Sequence, residues 1–193
     1  MVPLYLLTPV SRIENIDQVS SFPQSVKDLP AFWFALPDRP DYPRPSSSSH
    51  PRIEPNKHYG KPILNHLIDN LQVNNVSAMV GFLDDDTIVP ESLADAYTEF
   101  LKHYPKKKAF TVQQVNKDGT MRIDVRRNRR RIDQGCYFLH TDLIGDHRFF
   151  AEAGADATFF YGADGEFYHR VRRLTSDQWI DLPIVGSIYN ALR

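Results

Sequence analysis

Apolar residues in the first half of the chain fall into short uninterrupted runs, separated by stretches with helical spacing. The runs have the length of strands that are buried on both faces of a sheet. The stretches between them carry apolar residues three or four positions apart, which predicts amphipathic helices. The predicted strands are 4–7, 32–36 and 77–83, and the predicted helices are 13–29, 61–71 and a segment that begins at Pro90. This alternation predicts an α/β domain with a mixed, mainly parallel central sheet flanked by helices.

The pattern changes after residue 108. Two apolar segments, 109–115 and 121–125, flank Asn116-Lys-Asp-Gly119, a sequence typical of a β-hairpin turn. The elements predicted beyond the hairpin are a strand at 135–140, a helix at 163–174 and a last short strand at 184–189. The helix begins with acidic residues and ends with arginines, as the helix dipole favours. The hairpin makes the predicted sheet mixed rather than wholly parallel.

Residues 40–60 show no periodicity. Prolines recur there, and Ser46 to Ser49 are consecutive serines. The segment is too long to be a simple connection between two elements. Because it lies between two predicted core elements, we expect a mobile loop that acts as a lid rather than a boundary between domains.

Composition excludes several classes of protein. With 193 residues, of which 41% are hydrophobic and 24% are charged, the chain fits one globular domain, or a domain with a small appendage. A net charge of −1 gives no overall field that would attract nucleic acid or a membrane. Cys136 is the only cysteine, so a disulfide within the chain is impossible. With no signal peptide and no run long enough to span a bilayer, the sequence predicts a soluble, cytoplasmic protein.

The most informative stretch is Leu83-Asp84-Asp85-Asp86, where an apolar strand runs directly into three acids. Adjacent carboxylates repel one another and resist burial unless they are paired or bound to a cation. Oxygen ligands at the end of a strand suit a hard cation such as Mg²⁺ or Mn²⁺, held together with a phosphate. The alternative is a solvated acidic turn in which an aspartate caps the following helix. The stretch taken alone leaves both interpretations open.

A second acidic group, Gly162-Ala-Asp164-Gly-Glu166, opens the predicted helix at 163–174. Asp164 in this position is a candidate helix cap, and taken alone that interpretation is favoured. The functional alternative is a general base that takes the proton from an attacking hydroxyl. A metal-binding acid cluster and a separate carboxylate base are the minimum set for moving a group off a diphosphate.

Basic residues cluster between Arg122 and Arg131. The candidate roles are weak contact with an anionic membrane surface through Arg126–Arg131, nucleic-acid binding, and a clamp on a diphosphate. No zinc-finger or RNA-binding signature accompanies the cluster, so nucleic acid is not expected as a partner. A solvated loop after the hairpin is the favoured interpretation, because the chain has no basic excess elsewhere.

Three stretches, in this order along the chain, resemble inverting, family 2-like glycosyltransferases of the GT-A fold. They are Thr8-Pro-Val-Ser-Arg12, Leu83-Asp-Asp-Asp86 and Gly162-Ala-Asp164-Gly-Glu166-Phe-Tyr-His-Arg170. Two further segments resemble the acceptor side of these enzymes, namely Ile132-Asp133-Gln-Gly135 and Asp142-Leu-Ile-Gly145-Asp146. The acids after Leu83 resemble the DxD motif of the family. Ala163 stands where the family usually has the glutamate of an acidic pair.

The resemblance implies a role for each of these acids. Asp164 would be the catalytic base. Asp84 and Asp86 would bind the metal ion, and Asp84 and Asp85 would contact the nucleotide-sugar donor. The other donor-binding residues that the resemblance implies are Pro9, Ser11, Arg12, Asp38, Lys61 and Asn65.

The resemblance therefore implies a metal-dependent glycosyltransferase of the hexosyltransferase type. A sugar would move with inversion from a nucleotide-diphosphate sugar to the hydroxyl of a carbohydrate or another acceptor, with Mn²⁺ or Mg²⁺ as the metal. The resemblance implies one Rossmann-like domain over 1–193, with a nucleotide-binding half at 1–110 and an acceptor-side half at 111–193. A nucleotidyltransferase on a similar fold is one alternative, although no glycine-rich basic loop lies near the N-terminus. A non-catalytic nucleotide- or sugar-binding module is the other, and Ala163 is its support.

Overall fold

A computed structural model of the chain describes residues 2–10, 12, 15, 31–37, 60–127, 132–149 and 162–191. In these residues, seven strands form one sheet, and helices lie against it. The strands are β1 Leu4–Val10, β2 Ala31–Pro37, β3 Met79–Phe82, β4 Ala109–Asn116, β5 Met121–Ile123, β6 Tyr137–His140 and β7 Trp179–Tyr189. The helices are α1 Lys61–Val73, α2 Ser92–His103, the short α3 Thr141–Ile144 and α4 Ala163–Leu174, with 3-10 turns at Gln134–Cys136 and Ser176–Gln178. The predicted helix at 13–29, apart from Asn15, and the predicted loop at 40–60, apart from Gly60, lie outside the described residues.

The described strands form a mixed sheet, as the sequence predicts. β1 lies in the middle of three parallel strands, between β2 and β3. β6 runs antiparallel to both β3 and β4. β4 pairs with β7 in parallel along one of its edges. Along its other edge, β4 pairs antiparallel with β6 at one end and with β5 at the other. The parallel arrangement of β1, β2 and β3 brings their carboxyl ends to one edge of the sheet, where ligands bind in open α/β folds.

Alternating side chains of the strands build a core on each face of the sheet. On β1, Leu7 belongs to the core that contains α1 and α4, whereas Leu4 and Leu6 belong to the core that contains α2. The two-residue period of a strand requires this alternation. The apolar stripe predicted for α1 is confirmed as its buried face, which contains Ile63, Leu64, Leu67, Ile68 and Leu71. None of the described helices combines the length and apolar composition needed to cross a membrane.

β1 and β7 are longer than their apolar runs predict, and both differences involve a proline. β1 continues through Pro9 to Val10, although the predicted strand ended at Leu7. Beyond Leu7, β1 pairs with β2 but not with β3, so a residue without an N–H group is tolerated there. The strand predicted at 184–189 begins earlier, at Trp179, and continues through Pro183. Pro183 is tolerated because it lies where the pairing register with β4 shifts. A proline at a bulge interrupts the ladder without ending the strand.

Gly81 allows an aromatic ring to lie directly against β3. A Cβ atom at this position would be 2.4 Å from the Phe138 ring and 3.0 Å from Leu6. Gly81→Ala is therefore expected to lower the free energy of unfolding by about 1–3 kcal/mol, because the added methyl group overpacks a closed core. Denaturant unfolding of the two proteins measures the difference.

Gly165→Ala in α4 is the matched control for this change, since a Cβ atom there meets no atom closer than 3.8 Å. Alanine is a better helix former than glycine, so this variant is expected to be at least as stable as the unaltered chain. An equal loss of stability in both variants would show that packing against Phe138 is not the cause.

Candidate functional site

The three acids of the sequence motif lie immediately after β3, in a tight turn at the carboxyl edge of the sheet. The Thr87 N–H group donates to the Asp84 carbonyl at 3.1 Å and closes the turn. Asp85 and Asp86 are buried, with exposed fractions of 3% and 1%. Carboxylates at such depth require charged or hydrogen-bonding partners. The turn is therefore not the solvated acidic turn that the sequence left open.

Arg12, which follows β1, provides a cation for two of these acids. Its backbone N–H group donates to Asp85 Oδ2 at 2.7 Å, and its guanidinium forms an ion pair with Asp85 Oδ1. The same guanidinium nitrogen lies 3.2 Å from Asp86 Oδ2. Asn15 Nδ2 donates a further hydrogen bond to the Asp85 carbonyl at 3.0 Å. These contacts join the segments after β1 and β3, because neighbouring parallel strands end at the same edge of the sheet.

Asp84 belongs to a second network, which connects it to Asp164. Gln134 Nε2 donates a hydrogen bond to Asp84 Oδ1, and Gln134 Oε1 accepts one from the Lys61 ammonium at 2.8 Å. The Lys61 ammonium also forms an ion pair with Asp164 Oδ1. Lys61 and Gln134 are almost completely buried. The acid after β3 and the candidate base on α4, both half-buried, are thus connected through two buried side chains, although they are far apart in the sequence.

The starts of three elements deliver these side chains to one place. Lys61 is the first residue of α1, Gln134 begins the 3-10 turn before β6, and Asp164 lies in the first turn of α4. Both helices follow a glycine, Gly60 or Gly162, which has no side chain to cap the first N–H groups. Helix N-termini carry partial positive charge and bind anions. This partial charge favours an anion, and the carboxylate of Asp164 lies in the first turn of α4.

Burial changes the proton affinity of the two acids in this network. Burial raises the pKa of Asp84 well above its usual value, and the negative charge of Asp133 adds to the rise while Lys61 opposes it. Burial also raises the pKa of Asp164, against the opposing effect of the Lys61 ammonium. A carboxylate with a raised pKa is a stronger proton acceptor, which is the property that a general base requires.

Asp133 and Arg122 lie beside the network and hold the turn that contains Gln134. Arg122 Nη1 donates to Asp133 Oδ2 at 2.6 Å, and the Arg122 guanidinium lies 3.5 Å from the centre of the Tyr189 ring. Asp133 Oδ1 accepts a hydrogen bond from the Gly135 N–H group at 3.3 Å. The ion pair therefore anchors the cap of the 3-10 turn, and with it the backbone of Gln134.

The sequence alone did not assign Gln134 or Asp133 to the site, and it indicated Arg122 only as part of the basic cluster. A signal was present for these two residues, because they lie in a segment that resembles the acceptor side of glycosyltransferases and because aspartate and glycine, here Asp133 and Gly135, are typical of turns. No local pattern pairs Arg122 with Asp133. The same turn corrects the strand predicted at 135–140, which begins only at Tyr137 because the capped turn comes first.

The remaining donor-binding candidates lie around α1 or outside the described residues. Pro9 is buried near the end of β1, and Gly60 packs so closely on it that an added Cβ atom would be 2.2 Å from the Pro9 Cβ. The Asn65 amide exchanges two hydrogen bonds with the Phe149 backbone, at 2.8 and 2.9 Å. The positions of Ser11 and Asp38 fall outside the part of the chain that the structure describes.

The acids after β3 have the ligand type of a divalent metal site and require further ligands to complete it. Among residues 60–127, 132–149, 162–191 and the shorter described segments, no group of three or more histidine, cysteine, aspartate or glutamate side chains is arranged to hold a metal ion. Carboxylate oxygens suit Mg²⁺ and Mn²⁺, and Mg²⁺ is usually bound through one or two carboxylates together with substrate phosphates. Asp86 is buried and its Oδ2 already lies 3.2 Å from the Arg12 guanidinium, so a metal site shared by Asp84 and Asp86 stays a prediction.

In the basic cluster, Arg122 pairs with Asp133 beside the network, whereas Arg126 and Arg127 lie on a solvated turn. Arg126 and Arg127 are exposed, and their guanidinium groups lie 3.5 and 3.4 Å from the Asp124 carboxylate. Exposed pairs of this kind contribute little to stability. Arg129, Arg130 and Arg131 lie outside the described residues, so the contact of Arg126–Arg131 with a membrane surface stays a prediction.

Comparison with known proteins places the fold but gives no sequence family. No family model matches the sequence, and no curated protein matches it. The solved structure of S. aureus TarS matches with a TM-score of 0.68 and 12% identity, over 97% of this chain and 36% of that chain. A glycosyltransferase involved in the glycosylation of the major capsid of PBCV-1 matches with a TM-score of 0.53 and 12% identity, over 96% of this chain and 93% of that chain.

At this level of identity, the structural likenesses show the fold. The predicted α/β fold, with a mixed sheet flanked by helices, is confirmed, and it is a fold that a glycosyltransferase has. This chain spans 36% of TarS, so that protein contains a large part with no counterpart here.

Proposed function

We propose that this chain is a metal-dependent glycosyltransferase of the GT-A type, which moves a sugar from a nucleotide-diphosphate sugar to an acceptor hydroxyl with inversion. The observation that carries the proposal is the network that joins the half-buried acids Asp84 and Asp164 through the buried side chains of Gln134 and Lys61. The network lies where the acidic turn after β3 meets the N-termini of α1 and α4. Sugar transfer from a diphosphate requires a phosphate site next to a base. The acidic turn and the helix N-termini support the proposed phosphate site, and Asp164 beside them supports the proposed base.

Asp164 is the general base in the proposed reaction. It takes the proton of the acceptor hydroxyl while the hydroxyl oxygen forms a bond to the anomeric carbon and the bond from that carbon to the phosphate oxygen breaks. The nucleoside diphosphate leaves with the electron pair of the broken bond, and attack from the opposite side inverts the anomeric carbon. Two observations support the role, namely the burial that raises the pKa of Asp164 and the Lys61 ammonium that favours its ionised form.

The donor, in this proposal, binds along the carboxyl edge of β1 and β3. Arg12 holds the carboxylates of Asp85 and Asp86 in place, and the partial positive charge at the N-termini of α1 and α4 would favour the diphosphate. Asp84 and Asp86 are the residues that would hold Mn²⁺ or Mg²⁺, whose charge stabilises the departing diphosphate. The proposed contacts to the nucleotide and sugar come from Asp85 and from Pro9, Ser11, Arg12, Asp38, Lys61 and Asn65.

Donor hydrolysis tests the proposal, because water replaces the acceptor in the absence of a second sugar. The probes are UDP-glucose, UDP-N-acetylglucosamine, GDP-mannose and dTDP-glucose, each with and without Mn²⁺ or Mg²⁺. We expect at least one of them to release its nucleoside diphosphate, and to do so only when a divalent metal is present. Proton NMR of the released sugar is expected to show inverted configuration at the anomeric carbon.

Two other results would replace the proposal. Release of pyrophosphate from a nucleoside triphosphate and a sugar phosphate would identify a nucleotidyltransferase. Thermal stabilisation by a nucleoside diphosphate, without turnover of any of the donors, would identify a non-catalytic binding module.

A further inference from the structure

Gln134 lies between opposite charges, and these charges dictate the orientation of its amide. Its Nε2 faces Asp84 Oδ1, and its Oε1 faces the Lys61 ammonium at 2.8 Å. Rotating the amide by half a turn would place an oxygen against a carboxylate and N–H groups against an ammonium. The side chain is fully buried, where such contacts are costly. The amide therefore has a single acceptable orientation.

The backbone around Gln134 is held in place as well. Asp133 caps the 3-10 turn through the Gly135 N–H group at 3.3 Å and is itself part of an ion pair. A Cβ atom at Gly135 would lie 2.9 Å from the nearest side-chain atom, so the turn is packed tightly against its neighbours. A bridge whose backbone and amide are both constrained sets the separation of the two groups that it joins.

We infer that Gln134 is a positioning residue, whose carboxamide fixes the donor-side acid Asp84 relative to the Lys61–Asp164 pair. This inference rests on the proposed glycosyltransferase function. The amide forms two hydrogen bonds, one that it donates to Asp84 and one that it accepts from Lys61. Neither a carboxylate nor an apolar side chain of the same size can form both hydrogen bonds, since Asp84 requires a donor and Lys61 requires an acceptor.

Two variants of Gln134 distinguish the contributions of its two hydrogen bonds. Gln134→Met removes both at a similar side-chain volume, and Gln134→Glu keeps an acceptor for Lys61 but has no N–H donor for Asp84. In each variant, kcat for hydrolysis of the donor that the unaltered chain accepts is expected to fall about 10- to 100-fold, as loss of a hydrogen bond to a charged group predicts. The KM for that donor is expected to stay within about threefold, because the bridge orients reacting groups rather than binding the nucleotide.

Gln113→Met on β4 is the matched control. Gln113 is also a buried glutamine, and its Nε2 donates to Asp124 at 3.4 Å rather than to the network. This variant is expected to keep the kcat of the unaltered chain. Thermal melting of all three variants compares their folding, and Gln134→Glu, which has the size and shape of glutamine, decides the question if Gln134→Met does not fold.

The outcomes distinguish failure of the inference from failure of the proposed function. A kcat equal to that of the unaltered chain in either folded Gln134 variant overturns the inference and leaves the proposed function standing. An equal fall of kcat in Gln113→Met would show that the loss follows from removing any buried glutamine of this region, and not from removing the Gln134 bridge. That result overturns the inference too. If the unaltered chain hydrolyses none of the probe donors, the proposed function fails, and the inference fails with it.

Discussion

Asp164→Asn is expected to lower the kcat of sugar transfer by about 10²- to 10⁴-fold, which is the usual contribution of a general base. Asparagine cannot take up the proton at neutral pH, but it keeps the size of aspartate and an oxygen that accepts a hydrogen bond from Lys61. The loss is therefore expected in the chemical step, with donor affinity little changed. Steady-state kinetics that separate kcat from KM measure the effect.

The pH dependence of the unaltered chain is a second measurement of the same assignment. Asp164 acts as a base only when it is ionised, so activity is present above its pKa and is lost as the pH falls through it. Burial raises the pKa of Asp164, and kcat/KM is therefore expected to decline at a higher pH than an exposed aspartate would give. This acidic limb is expected to be absent from the residual activity of Asp164→Asn.

Glu166→Gln is the matched control, since it makes the same chemical change two residues further along α4. Glu166 is exposed and pairs with Arg170 at 3.3 Å, and exposed pairs of this kind contribute little. The control is expected to show the kinetics of the unaltered chain. Transfer by Asp164→Asn at the unaltered rate would show that another group is the base.

Asp86→Ala is expected to abolish both donor hydrolysis and metal-dependent binding of a nucleoside diphosphate. In the unaltered chain, a ligand at 100 times its Kd stabilises the fold by about 2.7 kcal/mol. The Mn²⁺-dependent part of this stabilisation is expected to vanish in the variant, because one of the two proposed metal ligands is gone. Thermal-shift measurements with UDP and GDP, with and without Mn²⁺, follow the change.

Asp86→Asn separates loss of a metal ligand from loss of packing at this buried position. Asparagine keeps the volume and an oxygen that accepts from Arg12, which lies 3.2 Å away in the unaltered chain, but it lacks the negative charge. Asp95→Ala on the exposed side of α2 is the surface control and is expected to behave as the unaltered chain does. Unchanged Mn²⁺ dependence in Asp86→Asn would remove Asp86 from the proposed metal site.

Local patterns in the sequence were sufficient to predict most of the described elements. The stripe at 61–71 forms the buried face of α1, and the turn that ends at Gly119, where φ is +83°, joins β4 to β5. Neighbouring residues decide such features, through helical spacing and the backbone freedom of glycine. The predicted strand ends were wrong near Pro9 and Pro183, because tolerance of a missing N–H group depends on the partner strand.

The candidate acids were also visible locally. Asp84–Asp86 directly follow an apolar strand, where charged residues are unfavourable unless they are paired. Asp164 lies at the start of a helix, a position that can be recognised from the sequence. The burial of Asp85 and Asp86 was not visible, since it depends on Arg12 at the end of a neighbouring strand.

The sequence by itself thus determined which elements form and which acids stand at their ends. Only the tertiary structure decided that Lys61, Gln134 and Asp164 meet beside Asp84, and that Arg122 anchors the turn that makes this possible. The physical reason is that these contacts depend on strand order and on the packing of α1 and α4 against one face of the sheet. Strand order joins residues that are distant in the sequence, and no local spacing of apolar and polar residues specifies it.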